Sequence, residues 1–239
     1  MLERTKRTEM LLGEAAMHSL RSAHVVVVGL GGVGSWCAEA LARSGIGTLT
    51  VIDSDRVAES NMNRQLAALA STLDKPKSEV IAARLHDAAP DANIIPLTAL
   101  YSAETREQVL PAHCDYIADC IDLVSCKLDL IATAKERGIP IVSALGTGNK
   151  LDAQQLCITD LSLTSGCPFA RVLRRELRRR GIEHLDVVFS PEPAIDALQD
   201  ETPPPGRRSV PGSAVWVPAT AGLLMAEKIV LELATSAQA

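Results

Sequence analysis

Apolar positions in the first 150 residues form short continuous blocks, separated by stretches whose apolar residues recur three and four positions apart. A continuous apolar block predicts a strand buried on both faces, as in a parallel sheet. Five such blocks lie at 24–29, 48–53, 92–97, 115–120 and 139–144. Amphipathic helices are predicted between them at 36–45, 77–89, 103–110 and 125–137. The alternation predicts an α/β fold: a Rossmann-like doubly wound, mostly parallel sheet with helices on both faces.

The pattern changes after about residue 150. Further strands are predicted at 154–160 and 185–190, a helix at 168–181, and a closing helix near 219–234. Residues 191–213 hold six of the chain's 13 prolines and predict a mobile loop. We therefore expect one domain over 1–239, with an N-terminal arm at 1–22 and additional C-terminal strands and helix.

Composition narrows the class of protein. Apolar residues make up 47% of the 239, which is enough for a sizeable core, and the net charge of −5 argues against a general nucleic-acid coat. The charged N-terminus is unlike a secretory signal. The apolar stretch 214–234 contains Pro218, Glu227 and Lys228, which suits a buried helix better than a membrane span. We expect a cytoplasmic protein that does not bind membranes.

The six cysteines are Cys37, Cys114, Cys120, Cys126, Cys157 and Cys167. None forms a C-x-x-C pair, which disfavours a four-cysteine zinc site. We expect most of them to be small core residues.

A glycine loop follows the first predicted strand. In "GLGGVG", Gly29 permits a tight turn, Gly31 lets backbone approach a phosphate, and Gly34 permits close packing of helix on sheet; Gly32 lies between them. Asp53 ends the second strand, where a carboxylate can accept both hydroxyls of a ribose. These features suit NAD and ATP equally.

The residues after Asp53 favour ATP. Asn61, Asn63, Arg64 and Gln65 follow, and then Lys77. Two cations suit a triphosphate better than the single pyrophosphate of NAD. Asp122, beyond the fourth strand, lies at the ligand-facing edge of such a sheet, where it could hold Mg²⁺ directly or through water.

The motifs "GLGGVGS", "IDSDRV" and "NMNRQ" together resemble the ubiquitin-activating superfamily of adenylating enzymes. The resemblance runs over nearly the whole chain and implies a homodimer. It also implies that Arg7, on the N-terminal arm, reaches the ATP of the partner subunit. Within one subunit it implies a set of roles: Asp53 on the ribose, Asp55 near the phosphates, Asn61 and Arg64 on the triphosphate, Lys77 on phosphate, and Asp122 at the metal.

Later segments, including "LGTGNKLD" and "VVFSPEPAI", resemble one branch, the tRNA threonylcarbamoyladenosine dehydratases. That branch uses ATP to close the side chain of a modified adenosine, beside the anticodon, into a ring. The implied route is a carboxyl-adenylate that the substrate's own carbamoyl oxygen then attacks. The resemblance leaves open a monovalent cation and a sulfur-relay protein as further partners.

A basic helix is predicted over 168–181. Arg171, Arg174, Arg175, Arg178 and Arg179 recur at the spacing of one helix face, while Val172, Leu173 and Leu177 form the apolar side. Such a concentration on an acidic chain favours contact with RNA phosphates. A solvated helix face is the alternative.

Three other functions remain open from the residues alone. The chain could adenylate the C-terminal Gly-Gly tail of a sulfur-carrier protein. It could be an NAD-dependent oxidoreductase, which leaves residues 61–65 unexplained, or a nucleotide-sensing scaffold, which has no need of the cations. Cys167 is the candidate nucleophile if the reaction needs one, although packing at the start of a helix explains it better.

Overall fold

The computed structural model describes residues 3–198 and 210–235. Seven strands in these residues form one sheet: β1 (His24–Val28), β2 (Thr48–Ile52), β3 (Asn93–Leu97), β4 (Tyr116–Asp119), β5 (Ile141–Ala144), β6 (Cys157–Asp160) and β7 (Asp186–Phe189). The described α-helices are α1 (Lys6–Leu12), α2 (Glu14–Ser22), α3 (Gly34–Ser44), α4 (Lys77–Ala88), α5 (Arg106–Val109), α6 (Val124–Glu136), α7 (Pro168–Arg178) and α8 (Trp216–Thr235).

The strand order is β3-β2-β1-β4-β5-β7-β6, and every neighbouring pair is parallel except β6 with β7. Strand β1 lies between β2 and β4, and Val26 is in register with Thr50 on one side and Ile117 on the other. The connections after β1 and after β3 therefore run in opposite directions, which makes the β1–β4 boundary the switch point of the sheet. The predicted Rossmann-like class is confirmed.

Two hydrophobic clusters cover the two faces of the sheet. One joins β1 and β2 to α3, α4 and α8 through residues such as Leu41, Ile81 and Met225. The other joins the opposite face to α6 and α7 through residues such as Ile131 and Leu173. Burial on both faces explains why the strand sequences are continuously apolar.

Several predicted elements differ in length from the observed ones, and α5, β6 and α8 have identifiable reasons. Helix α5 occupies only Arg106–Val109 of the predicted 103–110, because Thr105 closes a turn with Ser102 and Leu110 precedes Pro111 in an extended conformation. Strand β6 begins at Cys157, because a short 3₁₀ turn at Ala153–Gln155 occupies the start of the predicted strand.

Helix α8 begins at Trp216, ahead of the predicted 219, and includes Pro218. A proline in the first helical turn costs no hydrogen bond, because the N–H groups there have no partner within the helix.

The N-terminal segment is helical and packs on the body of the protein. Met17 and Leu20 of α2 are fully buried, and Arg4 bonds Asp91 and the Ala42 carbonyl. Of the predicted loop 191–213, residues 191–198 and 210–213 contain no helix or strand, and residues 199–209 lie outside the described residues. No helix in the described part of the chain is long and apolar enough to span a membrane.

The structure agrees with the prediction that most cysteines are core residues. Cys37 and Cys126 are buried, while Cys114, Cys120 and Cys167 are half-buried and pack against the two clusters. Cys157 is exposed, because its strand β6 lies at the edge of the sheet.

Candidate active site

A cavity of about 710 Å³ opens at the carboxyl edge of the sheet, where β1 and β4 diverge. Most of the ligand-binding residues predicted from the sequence line it, namely Gly29, Gly31, Gly32, Asp53, Asp55, Arg64, Gln65, Lys77 and Asp122. Arg7, Gly34 and Asn61 are not among the lining residues. One chain thus assembles a nucleotide-sized site from strands β1, β2 and β4.

The space around each glycine of the motif explains why that position has no side chain. Gly29 has a φ of 91°, and a Cβ there would meet the Cys120 carbonyl oxygen at 2.8 Å. A Cβ at Gly34 would lie 1.8 Å from the Gly29 oxygen, so the loop can close onto α3 only with glycine. At Gly31 the nearest atom to a Cβ is Gln65 Nε2 at 3.9 Å, so this backbone faces the cavity and leaves room for a phosphate.

Asp53 is fixed by backbone amides. Its Oδ2 accepts from Leu30 N at 2.6 Å and its Oδ1 from Asp55 N at 2.8 Å. Burial raises the pKa of the Asp53 carboxyl above its ordinary value, while the two amides and the Lys77 charge oppose that rise. The side chain is therefore a rigid acceptor that joins the glycine loop to the end of β2.

Lys77 begins α4 and is only 4% exposed. Its Nζ lies 2.9 Å from Asp55 Oδ2, while the Asp55 carboxylate is largely exposed. Its backbone N–H also donates to the Asp55 carbonyl at 2.9 Å. A buried ammonium with one exposed carboxylate beside it, in the wall of a cavity, is suited to receive an anionic ligand.

The segment 61–65 folds as a compact turn beside the glycine loop. Arg64 Nη1 donates to the Ser60 carbonyl and to Asn63 Oδ1, and Trp36 Nε1 donates to the Arg64 carbonyl. Asn61 uses its Oδ1 to accept from Ala58 N at 3.3 Å, and its side chain lies outside the cavity.

Gln65 lines the cavity, and its Oε1 is buried without a hydrogen-bond partner among the described residues. Gln65 is therefore a polar group in the cavity wall that a ligand could satisfy.

Asp122 is exposed at the cavity wall, after β4. The turn that carries it rests on Asp119, whose Oδ1 accepts from Ile121 N at 3.1 Å. Asp119 Oδ2 in turn accepts from Lys127 Nζ at 2.6 Å and from Ser143 Oγ at 2.7 Å.

This buried cluster was not predicted from the sequence. Its signal was present in the sequence, because Lys127 lies three and four residues before Leu130 and Ile131 on the inward stripe of α6.

Helix α8 forms part of the glycine-loop wall, which the sequence did not indicate. Pro218 lines the cavity, and a Cβ added at Gly32 would lie 3.2 Å from the Cβ of Pro218. Gly222, one turn further on, lies so close to α3 that a Cβ would be 2.4 Å from the Val33 oxygen. The last helix of the fold therefore supports the first nucleotide-binding loop.

The far wall of the cavity comes from β5, α7 and residues 210–213. It contains Ala144, Leu145, Gly146, Thr147, Gly148, Phe169, Val210, Pro211 and Ser213. Asn149 joins these segments, since its Oδ1 accepts from Gly212 N and its N–H donates to the Gly212 carbonyl.

The five arginines predicted on one face of α7 do share that face, and they line a surface depression of about 400 Å³. On the inner side of the helix Leu173 and Leu177 are buried and Val172 is half-buried. Arg175 and Arg179 both pair with Glu176. The side chains of Arg171 and Arg178 make no hydrogen bond or ion pair with any residue in the ranges the structure describes.

Arg174 differs from the others, because its Nη1 donates to the Thr164 carbonyl at 2.7 Å and to the Thr164 hydroxyl. Substituting it would disturb the loop before α7 as well as the charge.

Arg7 and Cys167 also lie outside the cavity. Arg7 is exposed on α1, away from the cavity of its own chain. Cys167 is the N-cap residue of α7 and packs against the core cluster beneath that helix.

The fold and the cavity together define a nucleotide-binding protein of the Rossmann type, with cations in the cavity wall beyond those that a dinucleotide needs. A model of the ThiF family matches residues 5–231, so the chain belongs to the ThiF family.

The relatives identify a particular branch. The chain is 38% identical to the tRNA threonylcarbamoyladenosine dehydratase of Bacillus subtilis, over 98% of this chain and 95% of that protein. The Escherichia coli tRNA N6-threonylcarbamoyladenosine dehydratase in complex with AMP superposes with a TM-score of 0.90 at 34% identity. That match covers 99% of this chain and 96% of the other. The same enzyme has also been solved with ATP.

The sulfur-carrier branch is similar over a shorter length. The ThiS adenylyltransferase of E. coli is 35% identical over 60% of this chain and 59% of that protein. The similarity to the Bacillus subtilis dehydratase therefore extends over nearly the whole chain, while the similarity to the carrier activator extends over 60% of it.

Proposed function

We propose that this protein is an ATP-dependent tRNA threonylcarbamoyladenosine dehydratase that works through a carboxyl-adenylate. Its substrates are ATP and a tRNA carrying threonylcarbamoyladenosine, and its products are the cyclised tRNA, AMP and pyrophosphate. The observation that carries the proposal is the near-full-length similarity to a dehydratase solved with both ATP and AMP. Because its proposed substrate is a tRNA, we also propose that the protein acts in the cytoplasm.

ATP lies along the carboxyl edge of the sheet in this proposal. Asp53 accepts hydrogen bonds from the ribose hydroxyls, and Gly31 and Gly32 pack against the phosphates. Gln65, whose Nε2 lies beside Gly31, can donate a hydrogen bond to the same phosphates. Lys77 and Arg64 offset phosphate charge. Their effect is greatest in the transition state, when the bond between the α- and β-phosphates breaks and charge grows on the leaving pyrophosphate.

The first step forms a bond between a carboxylate oxygen of the threonyl group and the α-phosphorus of ATP, and pyrophosphate leaves. In the second step the carbamoyl oxygen attacks the activated carbonyl carbon, the carbonyl–AMP bond breaks, and one proton is released. Both reacting groups of the second step belong to one molecule, so proximity accelerates it without a covalent enzyme intermediate. Cys167 therefore needs no catalytic role.

The cavity could hold Mg²⁺ only if the phosphates of ATP supply some of its ligands. In the described ranges no group of three or more His, Cys, Asp or Glu side chains could hold a metal ion by itself. Asp122 offers one exposed carboxylate at the wall, and Mg²⁺ is commonly held by one or two carboxylates together with substrate phosphates. When bound there, Mg²⁺ would neutralise charge on the phosphate oxygens.

A homodimer completes the site in this proposal. Arg7 is exposed on α1 and is not among the residues that line its own cavity, which is compatible with donation to the cavity of a partner subunit. Mixing Arg7→Ala chains with Asp122→Ala chains should restore part of the activity, because one site of each hybrid keeps both residues. A mixture that stays inactive after subunit exchange has been demonstrated argues that Arg7 does not act across an interface.

RNA binding is assigned to the α7 arginines. Arg171, Arg175 and Arg178 are exposed and can be changed to Gln without touching the Thr164 loop that Arg174 holds. The triple Gln variant should keep ATP binding, and it should lower the salt slope of tRNA binding by roughly 2 to 3, at about 0.7 to 0.9 per phosphate contact. An unchanged slope makes these arginines a solvated face.

The deciding experiment measures pyrophosphate release with ATP and three substrates: tRNA that carries threonylcarbamoyladenosine, the same tRNA without the modification, and a sulfur-carrier protein. Release with the modified tRNA alone is expected. Release with the carrier alone would replace the proposal by carrier adenylation. A pull-down with the carrier's sulfur-donor partners tests the sulfur-relay partner separately.

A further inference from the structure

The charges of the cavity wall are segregated. Among the described lining residues the charged ones are Asp53, Asp55, Arg64, Lys77 and Asp122, and all follow β1, β2 or β4 or begin α4. The far wall, from β5, α7 and residues 210–213, contains no charged residue among those described. The end of β2 is three strands from the end of β5, or roughly 14 Å at about 4.8 Å per strand. ATP bound at Asp53 and the glycine loop therefore leaves the far wall to another ligand.

Two aromatic side chains line the described cavity, and only one of them is offered to a ligand. Tyr101 is 2% exposed, and its hydroxyl donates to Asp129. Phe169 is half-buried, with part of its ring packed against the core cluster beneath α7. A ring supported on one side and facing a cavity on the other is a stacking platform for a flat group.

Phe169 also belongs to the helix that carries the arginines. It is the second residue of α7, about 3 Å along the helix axis from Arg171 and about 13.5 Å from Arg178 at about 1.5 Å per residue. The interval from Arg171 to Arg178 is about 10.5 Å, close to three nucleotide steps of a stacked strand at about 3.4 Å each.

The ring and the arginines lie on opposite sides of α7, since the buried Leu173 shares the side of Phe169. If the RNA backbone lies on the arginine face, a base can reach Phe169 only by passing around the N-terminal end of α7. That geometry requires a base turned out of its stack, as in other enzymes that act on a base.

We infer that the uncharged wall binds the purine base of the substrate nucleoside, with Phe169 as its stacking surface, while α7 holds the phosphates beside it. The inference rests on the proposed function and adds a base-binding residue to it. Phe169 acts by positioning the base, and it takes no part in bond making.

The test compares Phe169→Leu, which keeps an apolar side chain against the core, with Phe169→Trp, which keeps an aromatic ring. The substrate is an RNA hairpin with the sequence of the anticodon stem and loop, carrying threonylcarbamoyladenosine. We expect the Leu variant to raise the KM for the hairpin roughly tenfold or more, with an unchanged KM for ATP and an unchanged melting temperature. The Trp variant should stay within about threefold of the parent.

A Leu variant with the parent's KM for the hairpin overturns the inference. So does a variant whose KM for ATP rises equally, since that would put Phe169 at the nucleotide. The proposed function fails separately, when the parent protein itself releases no pyrophosphate with modified tRNA. A parent that is active and a Leu variant that matches it therefore refute the base site alone.

Discussion

The Nζ atom of Lys127 lies 2.6 Å from Asp119 Oδ2, and neither side chain has any exposed area. Ser143 donates to the same carboxylate oxygen, and Ile121 N to the other. Three segments thus meet at one buried carboxylate beside the cavity: the turn after β4, the start of α6 and the end of β5. A buried charge of this kind is retained only when its partner is present.

Removing Lys127 alone should therefore be costly. Lys127→Met leaves the Asp119 charge buried without a counterion, and we expect the free energy of unfolding to fall by about 3 to 5 kcal/mol. The double variant Lys127→Met with Asp119→Asn removes both charges and should recover much of that loss. Urea unfolding of both variants measures the difference, and a single variant within about 1 kcal/mol of the parent would show that the pair contributes little.

Lys77 can be compared with a neighbour of the same type. Lys77 is buried in the cavity wall beside Asp55, while Lys75 is exposed and does not line the cavity. Lys77→Ala should reduce turnover at least tenfold, equivalent to about 1.4 kcal/mol of lost transition-state stabilisation, and Lys75→Ala should leave it unchanged. Equal turnover in the two variants, measured as pyrophosphate release, would place the phosphates elsewhere.

Gly31 and Gly34 should respond differently to alanine. A Cβ at Gly31 finds its nearest neighbour at 3.9 Å, so the protein should fold with an unchanged melting temperature but bind ATP at least tenfold more weakly, because the methyl group fills the phosphate space. A Cβ at Gly34 would lie 1.8 Å from the Gly29 oxygen, so that variant should lose folded stability itself. Calorimetric ATP titrations and melting curves on both variants separate the two effects; tight ATP binding by Gly31→Ala contradicts the assignment.

Nucleotide binding should weaken in mild acid through Asp53. Its raised pKa means that the folded protein takes up this proton at a higher pH than an ordinary aspartate, whose value is 3.8. The neutral carboxyl is a poorer acceptor for ribose hydroxyls, so ATP affinity should fall as the pH drops through the raised pKa.

Unfolding through Asp53 cannot cause that loss of affinity. A raised carboxyl pKa makes the folded state bind the proton more tightly than the unfolded state, so this group adds stability as the pH falls. Asp53→Asn should bind ATP weakly with no pH step in the same range. A step of the parent's size in that variant would assign the titration to another group.

The strands were predictable because their environment is uniform. β1, β2 and β4 are buried on both faces, so their sequences are continuously apolar and their neighbours are parallel. Edge positions were harder: β6 is only partly buried, and its sequence is too mixed to show where the strand begins.

The glycine loop, Asp53 and Lys77 were found because their chemistry is local to one motif. Asp119 and Lys127 were missed because an ion pair within apolar runs looks like two isolated polar residues in a sequence. The contribution of Pro218 to the glycine loop depends on a contact across more than 180 residues, which no local pattern contains.

That last contact has a consequence for the order in which the protein can become functional during its synthesis. When the ribosome has made the first 150 residues, the complete glycine loop, Asp53 and Lys77 are present, but the helix on which the loop rests has not been made. Gly222 packs against the Val33 carbonyl and Pro218 against Gly32, and both belong to α8. A nascent chain should therefore begin to bind ATP only after α8 has left the ribosome tunnel.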